Sequence, residues 1–191
     1  MEPTKTEIVV LGAGPGGYAA AFYAADLGKK VTLIERDPKL GGVCLNRGCI
    51  PSKALLHAAH TINAAKESAH RGIIFGPPQL DLNQLRAWKN SIIGKLSGGI
   101  TQLAQKRGVT VLQGRGSFVN SNTLRVETEA GSQVINYDHA IVAVGSQPAM
   151  PKAFDLGSLR VMTSTEALEV EDVPERSEEH TSELQSRVDI S

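Results

Sequence analysis

The sequence predicts an α/β fold: a parallel sheet with packed helices, an inserted helical pair, and a small antiparallel meander. Three observations carry this. Glu7–Leu11 (EIVVL) and Val31–Ile34 (VTLI) are short apolar runs flanking an alanine-rich stretch, which is the pattern of a βαβ unit with buried parallel strands. Two long stretches with helical periodicity, 52–70 and 82–107, separate that unit from the next strand. Three short segments of strand-like composition, joined by Asn-rich and Gly-containing turns, follow between 114 and 137.

Taken in order, Glu7–Leu11 leads straight into Gly12-Ala13-Gly14-Pro15-Gly16-Gly17, and Tyr18–Leu27 reads as a helix that Gly28 stops. Val31–Ile34 is the second strand and ends at Glu35. Gly12, Gly14 and Gly17 therefore sit between strand and helix, with an acid at the end of the next strand. That context makes a G-x-G-x-x-G turn a dinucleotide site of Rossmann-like type. Gly12 allows the tight turn, Gly14 lets a pyrophosphate approach, Gly17 lets the helix pack, and the helix N-terminus supplies donors. Glu35 is expected to accept from ribose hydroxyls and to repel a 2′-phosphate.

Gly41-Gly42-Val43-Cys44-Leu45-Asn46-Arg47-Gly48-Cys49-Ile50-Pro51-Ser52-Lys53 comes next and holds both cysteines, with four residues between them. A disulfide there requires Cα atoms within roughly 7 Å, so the chain has to bend, and Gly48 permits it. Pro51 suits a first helical turn. A helix starting there would favour thiolate at the pair. Two separate buried thiols remain the alternative on these residues alone. Zinc is not supported, because no histidine pair follows at ligand spacing.

The helix expected over 52–70 places Ala54, Leu55, Ala58, Ile62, Ala65 and Ala69 on one face, and its His57 and His60 read as solvated or packing residues. Asp81 is the expected N-cap of a helix over 82–107, with an apolar row Leu82, Leu85, Trp88, Ile92, Leu96, Ile100 and Leu103. Gly94, Gly98 and Gly99 predict a kink or break in it. Val109–Leu112 is a strand, Gly114–Phe118, Leu124–Glu129 and Gln133–Tyr137 the meander, and Ala140–Val144 a further buried strand closed by Gly145-Ser146.

Composition narrows the classes. Twenty basic and twenty acidic residues cancel, which gives no electrostatic case for nucleic acid. No apolar run approaches the length of a membrane span, and the first residues carry neither a secretory core nor an Arg-rich leader. A cytoplasmic location is expected, where a close cysteine pair is more often catalytic than structural.

The run GGVCLNRGCIPSKALLH, with the glycine turn before it, resembles the flavin-dependent pyridine nucleotide–disulfide oxidoreductases, most of all their dihydrolipoyl dehydrogenase branch. The resemblance runs from about Ile8 to about Glu175. It implies FAD as cofactor, contacted by Gly12, Gly14, Pro15, Gly17, Glu35, Arg36, Gly41, Gly42, Val43, Cys44, Lys53, Gly116, Ala143, Gly145 and Ser146. It implies a redox-active disulfide between Cys44, the interchange thiol, and Cys49, the thiol against the flavin. It further implies that Lys53 is the cation near the reactive ring edge, the other reading being a solvated residue on the first turn of the helix. The implied reaction is oxidation of dihydrolipoyl groups on 2-oxoacid dehydrogenase complexes, with NAD as final acceptor and a homodimer as the working form. Other disulfide reductases of the family, similar to glutathione or mercuric reductase, are the alternative activity. The sequence Ala143-Val144-Gly145-Ser146 has valine where relatives more often carry threonine, so only a backbone role carries over.

Residues 1–175 therefore read as an incomplete FAD-binding domain, without the NAD and dimerisation domains that relatives carry. A fragment that is non-catalytic or unstable is the alternative from another class. From Arg176 the periodicity is lost, and residues 176–191 match the translation of a common sequencing-library adapter, which predicts a non-native tail.

Overall fold

A computed structural model describes residues 4–174 and 176. The elements are β1 (Thr4–Leu11), α1 (Pro15–Asp26), β2 (Val31–Glu35), α2 (Gly42–Arg47), α3 (Cys49–Glu67), α4 (Leu82–Lys106), β3 (Thr110–Gln113), β4 (Arg115–Asn120), β5 (Thr123–Thr128), β6 (Gly131–Val142) and α5 (Ser164–Ala167). The six strands form one sheet in the order β3-β2-β1-β6-β5-β4. Pairing is parallel from β3 through β2 and β1 to β6, and antiparallel among β4, β5 and β6.

Alternating side chains of the parallel strands divide the core in two. On one face Val10, Val31 and Leu33 meet Ala21 and Ala24 of α1 and Ile93, Ile100 and Ala104 of α4. On the other face Val9 and Ile34 meet Leu124, Val126, Ile135 and Tyr137 of the meander. The result is three layers, helices over parallel sheet over meander. The C-terminal ends of β1, β2, β3 and β6 gather along one edge between the layers.

Three expectations are corrected. Gln133–Tyr137 and Ala140–Val144 are not two strands but parts of one, β6. Its first half pairs with β5 (Leu124 with Ile135) and its second half with β1 (Leu11 with Val142), so the strand leaves the meander and enters the parallel sheet without a break. The cysteine turn carries a short helix of its own, α2, and α3 begins at Cys49 rather than Ser52. Helix α4 runs unbroken through Gly94, Gly98 and Gly99. Its Asp81 N-cap accepts from the backbone N–H groups of Asn83 and Gln84, both at 3.0 Å. Packing on neighbouring elements outweighs the roughly 1 kcal/mol that each glycine costs.

The buried row of α4 also differs. Lys89, Ile93, Ser97, Ile100 and Ala104 face inward, so of the expected apolar row only Ile100 is buried, while Trp88, Leu96 and Leu103 stay exposed. Small Ser97 and Ala104 let the helix approach closely, and the larger residues lie on its flanks. Lys89 is 1% exposed, and its ammonium donates to the Leu168 carbonyl (2.7 Å) and the Glu169 carboxylate (3.2 Å). Arg86 donates to the Val170 carbonyl (2.7 Å), so two cations of α4 hold the chain that follows α5. Val170 is the one non-glycine residue with positive φ, 47°, among those described.

Candidate functional site

The glycine turn closes the end of β1 against its neighbours. Gly12 N–H donates to the Ile34 carbonyl (2.8 Å), and Ala143 N–H donates to the Leu11 carbonyl (2.8 Å). Gly12 has φ +96°, and a Cβ there would stand 2.3 Å from the Ala143 carbonyl oxygen. A Cβ on Gly17 would lie 1.7 Å from the Gly12 carbonyl oxygen, so the third glycine is required by the turn itself. Gly14 is different. A Cβ there would touch only Gly42 Cα, at 3.8 Å, and Gly14 lines an open cleft. Gly14 is also the N-cap of α1, whose first residue is Pro15, so the helix points its free N–H groups at that cleft.

Glu35 ends β2 with its carboxylate buried. Oε2 accepts from Ala13 N–H (2.7 Å) and Oε1 from Asp37 N–H (3.0 Å). Each oxygen keeps a lone pair for a hydroxyl donor. Asp37 turns outward and its Oδ2 pairs with Arg47 Nη2 at 2.6 Å, joining the end of β2 to the end of α2.

The cysteine turn packs against the glycine turn. Gly41 N–H donates to the Ala13 carbonyl (2.9 Å), and Gly41 and Gly42 both have positive φ, 114° and 61°. A Cβ on Gly42 would come within 2.6 Å of Gly14 Cα, so the two glycine pairs lie backbone to backbone. Asn46 Nδ2 donates to the Leu40 (3.3 Å) and Gly42 (3.0 Å) carbonyls, and Ser97 of α4 donates to Leu40 as well (2.9 Å). Asn46 Oδ1 is buried with no hydrogen-bond partner. Gly48 separates the two helices, and a Cβ there would press on the Val43 carbonyl at 3.1 Å. Close approach, not a left-handed backbone, is what requires glycine at that position.

Both cysteines are free thiols here, the dithiol counterpart of the expected disulfide. Cys44 is half-buried and Cys49 exposed. The hydrogen bond with the Cys49 thiol, then burial, pushes the Cys44 thiol above its ordinary range, and the charge of Lys53 only partly opposes this. The expected lowering by a helix N-terminus is therefore overturned for Cys44. The adjacent thiol and burial outweigh the Cys49 backbone N–H at the start of α3, which lowers the Cys44 pKa.

These parts line a cleft of about 530 Å³ along the C-terminal edge of the parallel strands. It takes in Gly12, Gly14, Pro15, Glu35, Arg36, Gly42, Val43, Cys44, Gly116, Ala143, Gly145 and Ser146, all singled out from the sequence. Gly17 and Gly41 stand behind the wall as supports, and neither Lys53 nor Cys49 reaches it. Sequence reasoning missed Asp37, Arg47, Gly114 and Arg115, which also line it. Their only signal was adjacency, two beside Glu35 or Gly48 and two beside Gly116. A smaller cavity of about 260 Å³ also touches Cys44, among Pro15, Tyr18, Leu45, Ile50, Leu96 and Ile100. His57 and His60 are exposed on α3, away from both cavities.

Residues 6–182 match the family model described as pyridine nucleotide-disulphide oxidoreductase. The chain belongs to that family. Dihydrolipoyl dehydrogenase of Vibrio parahaemolyticus is 49% identical over 172 residues, which is 90% of this chain and 36% of that protein. The enzyme of the same name from Haemophilus influenzae is 45% identical, again over 90% of this chain and 36% of the relative. Among solved structures, a copper(II) complex of the HOCl-induced flavoprotein disulfide reductase RclA of Escherichia coli, a cysteine-to-serine mutant, overlays with a TM-score of 0.73 and 26% identity. That overlay covers 91% of this chain and 36% of the other. The chain thus spans about 36% of the length of the family members it matches. Among the described residues, no helix is long and apolar enough to cross a membrane.

Proposed function

We propose that this chain is the FAD-binding part of a dihydrolipoyl dehydrogenase-type oxidoreductase, with Cys44 and Cys49 as its redox pair. The observation that carries the reading is the meeting of the two turns. The dinucleotide-type glycine turn and the cysteine turn touch at Gly14 and Gly42 and line one cleft. The residues present suit FAD. Gly14 leaves its Cβ volume to the cleft, α1 offers backbone donors for a pyrophosphate, and Glu35 offers acceptors for ribose hydroxyls. Gly116, Gly145 and Ser146 would line the remaining wall, and Arg36 the rim.

In the proposed reaction the pair begins as a disulfide. A dihydrolipoyl thiolate attacks Cys44, the Cys44–Cys49 bond breaks, and Cys49 leaves as thiolate. The second substrate thiol, losing its proton to solvent, attacks its partner sulfur in the mixed disulfide, releasing Cys44 and the oxidised lipoyl ring. Cys44 then holds a proton at its sulfur, in keeping with its raised affinity for one. Lys53 lies close enough to favour thiolate at Cys44 electrostatically and so moderates that hold. Bound flavin would supply the two-electron acceptor for the dithiol, with NAD as the final acceptor.

The substrate dihydrolipoyl domain, NAD as acceptor, a homodimer and a cytoplasmic setting belong to this proposal; the relatives' name supports the first and the family's description a pyridine nucleotide acceptor. Residues 1–175 are proposed as the incomplete domain. Residues 176–191 are proposed as adapter-derived, and 177–191 lie outside the described residues. The test compares the 191-residue chain with a chain extended to the length of the relatives, at equal flavin content. NADH formation from dihydrolipoamide is expected only from the extended chain. Absence of FAD binding by the 191-residue chain, or comparable rates from both, would overturn the reading.

A further inference from the structure

We propose that Arg47 is a positioning residue for the cysteine pair, acting through its ion pair with Asp37; this rests on the reading that Cys44 and Cys49 interconvert between dithiol and disulfide. The cysteine turn is braced on its entry side by Gly41 N–H on the Ala13 carbonyl and by Asn46 and Ser97 on Leu40. On the exit side, among the side-chain contacts of the described residues, the tether of α2 is Arg47 Nη2 on Asp37 Oδ2 at 2.6 Å. Arg47 is the last residue of α2 and sits directly before Gly48, where the backbone changes direction into α3.

The anchor is itself fixed. Asp37 N–H donates to Glu35 Oε1, and Glu35 Oε2 accepts from Ala13 in the glycine turn. The end of α2 is thereby referenced to the same turn that holds its beginning. Arg36 is the other charge on this carboxylate, with Nε 3.8 Å from Oδ1, too long for a direct bond. A disulfide forms only within a narrow range of separations. Releasing Arg47 leaves Gly48 free to vary the angle between α2 and α3, and lowers the effective concentration of one thiol at the other.

The pair can be read without any cofactor, by equilibrium with glutathione. One glutathione disulfide is reduced to two thiols as Cys44 and Cys49 lose two hydrogens and form one S–S bond. The experiment equilibrates the 191-residue chain in graded glutathione buffers, quenches by alkylation and weighs the products. Arg47→Ala and Asp37→Asn are each expected to lower the equilibrium constant for the disulfide about tenfold, about 30 mV towards the oxidising side. The double variant is expected to add nothing further, Arg47→Lys to recover part of the loss, and Lys29→Ala, which breaks an ion pair with Glu7 outside the cleft, to match the parent. An unchanged constant in Arg47→Ala, additive losses in the double variant, or an equal shift from Lys29→Ala would overturn the positioning role. A parent chain that forms no Cys44–Cys49 disulfide at any buffer ratio would instead remove the underlying reading together with it.

Discussion

Gly14 and Gly17 belong to one sequence motif, yet their replacement by alanine should have opposite consequences. In Gly17→Ala the new methyl would lie 1.7 Å from the Gly12 carbonyl oxygen, less than half an ordinary contact distance, and the obstacle is backbone. Overpacking a core typically costs about 1–3 kcal/mol. A methyl driven into a turn that Gly12 already holds at φ +96° belongs at the top of that range or above it. With roughly 2–4 °C of Tm per kcal/mol for a chain of this size, a loss of about 6–12 °C follows. In Gly14→Ala the methyl meets only Gly42 Cα at an ordinary 3.8 Å, and the residue's φ of −69° suits alanine. The weaker N-cap costs about 1 kcal/mol at most. Its methyl, however, occupies the cleft where the helix N-terminus offers its donors. Gly14→Ala should therefore melt within a few degrees of the parent and lose FAD affinity tenfold or more. Differential scanning calorimetry and flavin fluorescence titration separate the two. Equal melting losses in both variants, or full FAD affinity in Gly14→Ala, would refute the reasoning.

The hydrogen bond with the Cys49 thiol, then burial, raises the pKa of Cys44, so it holds its proton to higher pH than an ordinary thiol. At mildly alkaline pH, alkylation of Cys44 in the reduced folded chain should accordingly lag behind the same thiol in the unfolded chain, and peptide mass mapping showing equal rates would contradict this. The folded state's preference for the neutral thiol adds stability below the unfolded pKa and loses it as pH rises through the folded one. Reduced protein should therefore lose a small increment of Tm in that alkaline window, and Cys44→Ser should abolish that loss. Lys89→Ala removes the donor from the Leu168 carbonyl and Glu169 and empties a buried volume, a loss of about 2–4 kcal/mol. Hydrogen exchange at residues 164–170 should accelerate in that variant far more than in β1, and uniform acceleration across the chain would argue against a local latch.

The parts of the fold that were legible in the sequence are those with a local signal. Glycine at 12, 14 and 17, the strand before them and the acid at 35 need only short-range pattern to be placed. The Asp81 cap is equally local. What escaped depended on distant partners. No periodicity in α4 shows that Lys89 faces inward, because its partners are contributed some eighty residues later. Likewise β6 read as two strands because its halves satisfy different neighbours and carry different patterns. Cys44 could be placed at the site, but its proton affinity depended on the neighbouring thiol rather than on the helix end.

The double membership of β6 also constrains the order in which the molecule can be made. Strand β1 lies between β2 and β6, and its register joins Ile8 to His139. A ribosome releases β1, α1 and β2 long before β6 exists. Until then one edge of β1 offers unpaired N–H and C=O groups beside the buried Val9 and Val10. Loop closure over that separation is slow relative to local pairing. Nascent chains halted before Val142 should therefore be prone to edge-to-edge association, and a single late segment releases them from it.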